Sequence, residues 1–413
     1  MPLDLSHDLA VRWNDPDPKH ASLLREAAIN QVLIARPHEG FERACRSAGI
    51  GVTPEDQVQF VTLKELTTAA PGKPVVLREG QWPGIGHGPN IQPMEEEIAS
   101  ASSQPWVDSN GSSIAYLRAL FPDRPPALGY LPELGNRVAP FDSLELALIE
   151  AWAAGGNYVM ALDPRFRTAL LNGDEKARAA WRQLGRTAGW LQQHTELFRQ
   201  PTFPSITQLV EQGEATAEIA HMLFRQNGSP ALENAAEPPA PDPERRRVIV
   251  AVELKPPAVP VRNRILAHAH AGASVVVNGD WWQNSSLTKV KSQEDRDFYR
   301  LGRGQVVAYH KSIDDPSEFA LDAIDILTHP RRAVRLWNAP AAIALATGEG
   351  LLQCVNYGSP ADQDIQARIL GTFAKATLIR PEAPALPLKA MRRGATTEVM
   401  IPELGRLGVV VFG

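Results

Sequence analysis

Residues 105–164 decide the fold: PWVDSNG (105–111), SSIAYLRALFP (112–122), ALGYLPE (127–133), DSLELALIEAWAAGG (142–156) and YVMALDP (158–164). Three short apolar runs, around Trp106 and Val107, at 127–131 and at 158–162, each end in a carboxylate: Asp108, Glu133 and Asp163. Between the last two lies the clearest helix in the chain. Leu144, Ala147, Leu148 and Ala151 recur at i, i+3, i+4 and i+7, and Asp142 and Glu145 have the spacing of a capping box. Gly155-Gly156 offers a left-handed stop. Strand, helix and strand in this order make the βαβ unit of a parallel sheet. Polar residues closing successive parallel strands point to a site on one rim, where an α/β barrel builds its active site.

Composition bounds the reading. At 413 residues the chain exceeds one ordinary core, so two or three domains are expected. A hydrophobic content of 44% with 22% charged residues is that of a soluble globular protein. A net charge of −5 and a pI near 6.1 point away from nucleic acid and from an acidic membrane surface as partners. No apolar run approaches the ~18–20 residues that span a bilayer. The start, MPLDLSHDLAVRW, lacks the basic and apolar regions of a signal peptide, so the chain reads as cytoplasmic. A mature secreted form would read the same way. Two cysteines, Cys45 and Cys354, exclude a disulfide framework, and ten scattered histidines show no metal-ligand spacing. No metal or other cofactor is expected. The glycines of PGIGHGP (83–89) lack the strand-and-helix context of a dinucleotide site, and His87 among them reads as a solvated loop residue.

In chain order, strands are expected at 9–13, 31–35, 58–63 and 74–77, with helices after Asp17-Pro18 and at 41–48. With the three runs above, that makes seven strand candidates before residue 165, one short of an eightfold barrel. The run at 205–211 is a candidate to close it. Beyond the helical stretch 175–193, strands at 205–210, 231–235, 248–252, 273–278 and 305–309 alternate with helices at 215–226 and 262–271. The linker PPAPDPERRR (238–247) and a polar loop at 284–303 interrupt that small α/β pattern. From residue 334 the runs VRLWN, AAIALA, LLQCVNY, RILGTF, ATLI, TEVMI and GVVVF follow one another at sandwich-like spacing. The expected boundaries are 1–200, 201–320 and 330–413.

This order of domains resembles that of the β-galactosidases of glycoside hydrolase family 42. The phrases carrying the resemblance are PWVDSNG, EAWAAGGNYVMALDP (150–164), AHAHAGASVVVNGDWW (267–282) and the terminal LLQCVNY and TEVMIPELGRLGVVVFG. The resemblance implies a TIM-barrel-like N-terminal domain, a small flavodoxin- or amidotransferase-like α/β domain and a C-terminal β-sandwich. It also implies a carbohydrate substrate and a homo-oligomer, with contacts through the middle domain; Trp281-Trp282 in NGDWWQN are the expected contact residues. Those enzymes carry an Asn-Glu pair for acid/base work, and this chain has no Asn-Glu dipeptide. Glutaminase activity is excluded, because no cysteine lies between residues 200 and 315.

A glycosidase needs two carboxylates across the scissile bond, about 5 Å apart for retention or roughly 6.5–9.5 Å for inversion. Asp15, Glu79, Asp108, Glu133 and Asp163 are all expected on one rim. Glu133 is the first choice for acid/base, with Asp108 or Glu79 as its partner. Trp13, Trp82, Trp106 and Tyr130 stand beside them to stack on a sugar ring, and Asn110 shares the Asp108 loop. The competing reading of each acid is a helix cap or an ion pair, for example with Arg78 or Arg165. Two function classes follow: a glycoside hydrolase, or an inactive barrel serving as a sugar-binding or assembly protein.

Overall fold

The computed structural model of the chain describes residues 3–66, 73–85, 107–133, 138–243, 247–283, 286–327, 331–358 and 364–413. The described residues among the first 165 carry ten strands: β1 (Ala10–Arg12), β2 (Gln31–Ile34), β3 (Gly51–Pro54), β4 (Gln59–Val61), β5 (Val75–Leu77), β6 (Gly84–Ile85), β7 (Val107–Asp108), β8 (Ala127–Leu128), β9 (Asn157–Tyr158) and β10 (Met160–Ala161). Eight of them form two parallel sheets, ordered β10-β1-β2-β3 and β4-β5-β8-β9. Val159 alone separates β9 from β10, and a single 3-10 turn, Glu55–Gln57, separates β3 from β4. Consecutive chain therefore joins the sheets at both margins.

Two expectations change here. Val107–Asp108 does not enter the parallel sheets and pairs antiparallel with Gly84–Ile85. The run at 205–211 does not close the ring either, because Ile206–Val210 pairs with strands of a different sheet. Of the strands in the parallel sheets, sequence reading overlooked β3, whose GVTP begins and ends in residues that disfavour strands.

The helix Ser143–Ala153 forms as expected and stops at Gly155, which has φ +83°. It is buried on every side, not on one stripe. One side meets the helix Glu175–Gln193 and β9, and another meets the strand Leu351–Asn356 of the C-terminal region. The capping box does not form. The Asp142 carboxylate reaches Arg406 instead, and Glu145 accepts from Gln183 Nε2 at 3.3 Å and from the Thr187 hydroxyl. Tertiary ion pairing has displaced the local cap.

The middle region is one seven-stranded sheet. Its strands are β11 (Ile206–Val210), β12 (Ala231–Asn234), β13 (Val248–Ala251), β14 (Ser274–Asn278), β15 (Thr288–Ser292), β16 (Arg296–Leu301) and β17 (Gly304–Tyr309), in the order β12-β11-β13-β14-β17-β16-β15. The first five are parallel, and β16 and β15 add an antiparallel hairpin where a polar loop was expected. The hairpin escaped notice because TKVKS is exposed along its whole length and shows no alternation. Trp282 is only 5% exposed and packs on Tyr299 with ring centroids 5.1 Å apart. Trp282 is part of the core of this sheet, with Trp281 partly buried against it.

The C-terminal region holds two antiparallel sheets that share a core including Leu352, Cys354, Ile369, Leu378, Val399 and Val410. One sheet pairs Val334–Trp337, Ile365–Leu370, Thr396–Ile401 and Met391–Arg393; the other contains Ala342–Thr347, Leu351–Asn356, Leu407–Phe412, Ala376–Arg380 and Ala383–Leu388. Among the described residues no helix is long and apolar enough to cross a membrane.

Because the helix at 143–153 is enclosed by neighbours on several sides, a void in it cannot collapse cheaply. Leu148 is fully buried, and Leu148→Ala is expected to lower stability by about 2–5 kcal/mol, read as a shifted urea midpoint at unchanged slope. Leu131, 40% exposed, is the control: Leu131→Ala should stay within about 0.5 kcal/mol.

Candidate functional site

The loops that follow the strands enclose a cavity of about 710 Å³. Asp108 and Glu133 line it together with Trp82; Tyr357, Gly358 and Arg406 close it from the C-terminal region. Glu133 is exposed and Asp108 half-buried. Burial lowers the Arg225 guanidinium pKa, and the charge of Asp108 opposes that shift. Arg406 holds the wall by donating to Gly358 O at 2.6 Å and pairing with Asp142.

The other predicted residues fall elsewhere. Glu79 is exposed, does not line the cavity, and accepts the Leu63 N–H at 2.7 Å. Asp163 caps the helix Pro164–Leu171, accepting the N–H groups of Arg165 at 2.9 Å and Phe166 at 3.1 Å. Asp15 pairs with Arg167 of that helix at 3.2 Å. Local capping and pairing account for both.

The aromatic residues divide by burial. Trp82 is half-buried and stays on the cavity wall, edge-on to Tyr130 at 6.0 Å. Trp13, 1% exposed, is a core residue whose indole donates to Asp15 O at 2.6 Å, so it offers no face to a ligand. Tyr130 is wholly buried and Asn110 nearly so, which removes both from direct substrate contact. Residues next to a doubly covered parallel strand fill the interior before they reach solvent. Trp106 and His87 lie outside the described residues.

Beneath the cavity sits a carboxylate that sequence reading missed. Glu150, on the helix Ser143–Ala153, is 1% exposed. Its Oε1 accepts from Asn110 Nδ2 at 2.6 Å and from the Tyr130 hydroxyl at 3.1 Å. Its Oε2 accepts from Asn110 N at 2.9 Å and from the Tyr357 hydroxyl at 3.1 Å. Burial raises its pKa from 4.5 to about 7 against the pull of these donors. Asn110 also holds the backbone under Trp82, with Oδ1 accepting the Gln81 N–H at 2.8 Å and Nδ2 donating to Gln81 O at 2.9 Å. Gly80 permits that approach: a Cβ there would stand 2.3 Å from Tyr130 Cδ1 and 2.8 Å from Asn110 Oδ1. The signal was in the chain. Acids within a helix that is apolar all round must be buried, and a buried acid requires partners.

Solved structures share this arrangement of parallel strands and helices. The α-L-fucosidase isoenzyme 2 from Paenibacillus thiaminolyticus is similar at TM-score 0.50 and 10% identity, covering 95% of this chain and 78% of that one. A β-galactosidase from Bacillus circulans sp. alkalophilus is similar at TM-score 0.51 and 9% identity, covering 90% of this chain and 66% of that one, so this chain spans just under two thirds of its length. At such identities the likeness is one of fold alone. No protein-family model matches the sequence, and no curated protein matches it.

The raised pKa of Glu150 has a definite sign in stability. Between about pH 4.5 and about 7 the folded protein retains a proton that the unfolded chain has released. This contribution is fully present below about pH 4.5 and is lost as pH rises through about 7. Its size is on the order of 3 kcal/mol. Urea unfolding across that range should show a decline with pH in the parent protein that Glu150→Gln removes. Parallel pH dependence in the two proteins would rule out this titration.

Proposed function

We propose that the chain is a carbohydrate-active hydrolase whose ring of parallel strands is a reduced TIM-barrel-like domain over residues 1–200. An amidotransferase-like domain at 201–320 and a β-sandwich domain at 330–413 complete the proposal. Glu133 acts as acid/base and Asp108 as its carboxylate partner; Glu79 is set aside because it does not line the cavity. Trp82 offers the face on which a sugar ring stacks. The observation supporting this reading is the rim cavity, large enough for a sugar and lined by an indole and three carboxylates, of which Asp142 is paired with Arg406. Asn110, Tyr130 and Glu150 serve as positioning residues behind Trp82 and Tyr357.

A second reading, sugar binding without turnover, draws on the same wall. Asp142 is committed to Arg406, and Asp108 acts on Arg225, so cationic neighbours compete for two of the acids. A screen of aryl β-galactosides and aryl α-fucosides separates the two. Hydrolysis by the parent that falls about 10²–10⁴-fold in Glu133→Gln and in Asp108→Asn, with sugar binding retained, supports the hydrolase. Binding by the parent without hydrolysis, lost in Trp82→Ala, supports the binder. Unchanged turnover in both acid variants would place the active site elsewhere.

A further inference from the structure

The seven-stranded sheet carries a second cavity, of about 520 Å³, at the edge where β13, β14 and β17 begin. Arg247, Lys291, Arg300, Arg303 and Arg331 line it, and among the described residues no Asp or Glu does. The whole chain carries a net charge of −5, so this concentration of cations runs against the background. Arg247 is the most enclosed of them, with a side chain 13% exposed. One of its terminal nitrogens pairs with Asp242 at 2.7 Å, while its buried Nε has no hydrogen-bond partner. A buried donor left unmet is costly, and a ligand oxygen would meet it.

Helix ends explain only part of the arrangement. The helices Val259–Ala271 and Pro316–Ile326 both end beside this cavity, and their C-terminal carbonyls attract cations. Arg303 serves that role, donating to Ala271 O at 3.2 Å. Lys291 lies over the Phe298 ring, 5.1 Å from its centroid. Arg300 and Arg331 are exposed, so like charges converge on one concave space. Mutual repulsion there is relieved by a multivalent anion, and guanidinium groups match tetrahedral oxyanions in pairs. Phe298, Ile326 and Leu327 supply an apolar wall for the rest of the ligand.

We propose that this cavity binds a small ligand bearing two or more tetrahedral oxyanions, phosphate or sulfate esters carried on a sugar-sized body. The proposal is independent of the rim cavity and its chemistry. Calorimetric titration of the full chain with fructose 1,6-bisphosphate and with a glucose disulfate tests it, and the two arms distinguish phosphate from sulfate as the source. Binding of at least one ester is expected, weakening about tenfold as salt rises from about 0.05 to about 0.3 M. The double variant Lys291→Gln/Arg300→Gln, made at exposed positions, should reduce affinity about tenfold or more at an unchanged melting temperature. Arg303→Gln provides a second, separate reduction. Absence of binding for both esters at millimolar concentration would overturn the proposal. So would affinity that neither variant alters.

Discussion

A carboxylate cut off from water must be met by donors, and the candidate site rests on that constraint at Glu150. Its four hydrogen bonds come from three separate parts of the chain: the loop at Asn110, the segment after β8 at Tyr130, and Tyr357 from the C-terminal region. Each donor has a second task. Asn110 grips the Gln81 backbone, Tyr130 lies edge-on to Trp82, and Tyr357 closes the rim cavity. Removing one partner from such a network leaves a buried polar group unsatisfied, which costs more than the lost bond itself. The floor of the cavity and the packing of the C-terminal sheets on the helix Ser143–Ala153 are thus coupled through one side chain.

The same enclosure accounts for the division among the predicted site residues. Strands covered on both faces draw the aromatic residues at their ends inward, and Trp13 and Tyr130 follow that rule, whereas Asn110 is drawn in by its bonds to Glu150. Residues further along the loops remain on the cavity wall, as Glu133 and Trp82 do. Acids at the start of a helix are taken up by its N–H groups, which is the fate of Asp163. Glu133, five residues beyond β8, has no helix behind it within the described residues and stays exposed at the cavity.

Much of this was legible in the chain. Period and punctuation located the helix at 143–153, its stop at Gly155, the strands near 10, 31, 75, 127 and 158, the parallel run from Val248 to Asn278, and most strands beyond 334. These signals are local: an apolar run of the right length, a turn residue at its end, a glycine where φ is positive. The hairpin at 288–301 was missed because its exposed strand lacks alternation, and β3 because Gly51 and Pro54 mask it.

What the sequence alone determined was which segments are strands or helices and that acids stand near the strand ends, because these follow from short-range periodicity. Tertiary structure decided which acids meet. Asp108 reaches the rim through a two-residue antiparallel pair and not as part of the parallel sheets. Asp142 abandoned its helix for Arg406, 264 residues away. Glu150 became the central acid only because the C-terminal sheets cover the helix face that would otherwise be wet. Burial sets the worth of a charge, and burial is a property of neighbours distant in sequence, so no local pattern could assign these roles.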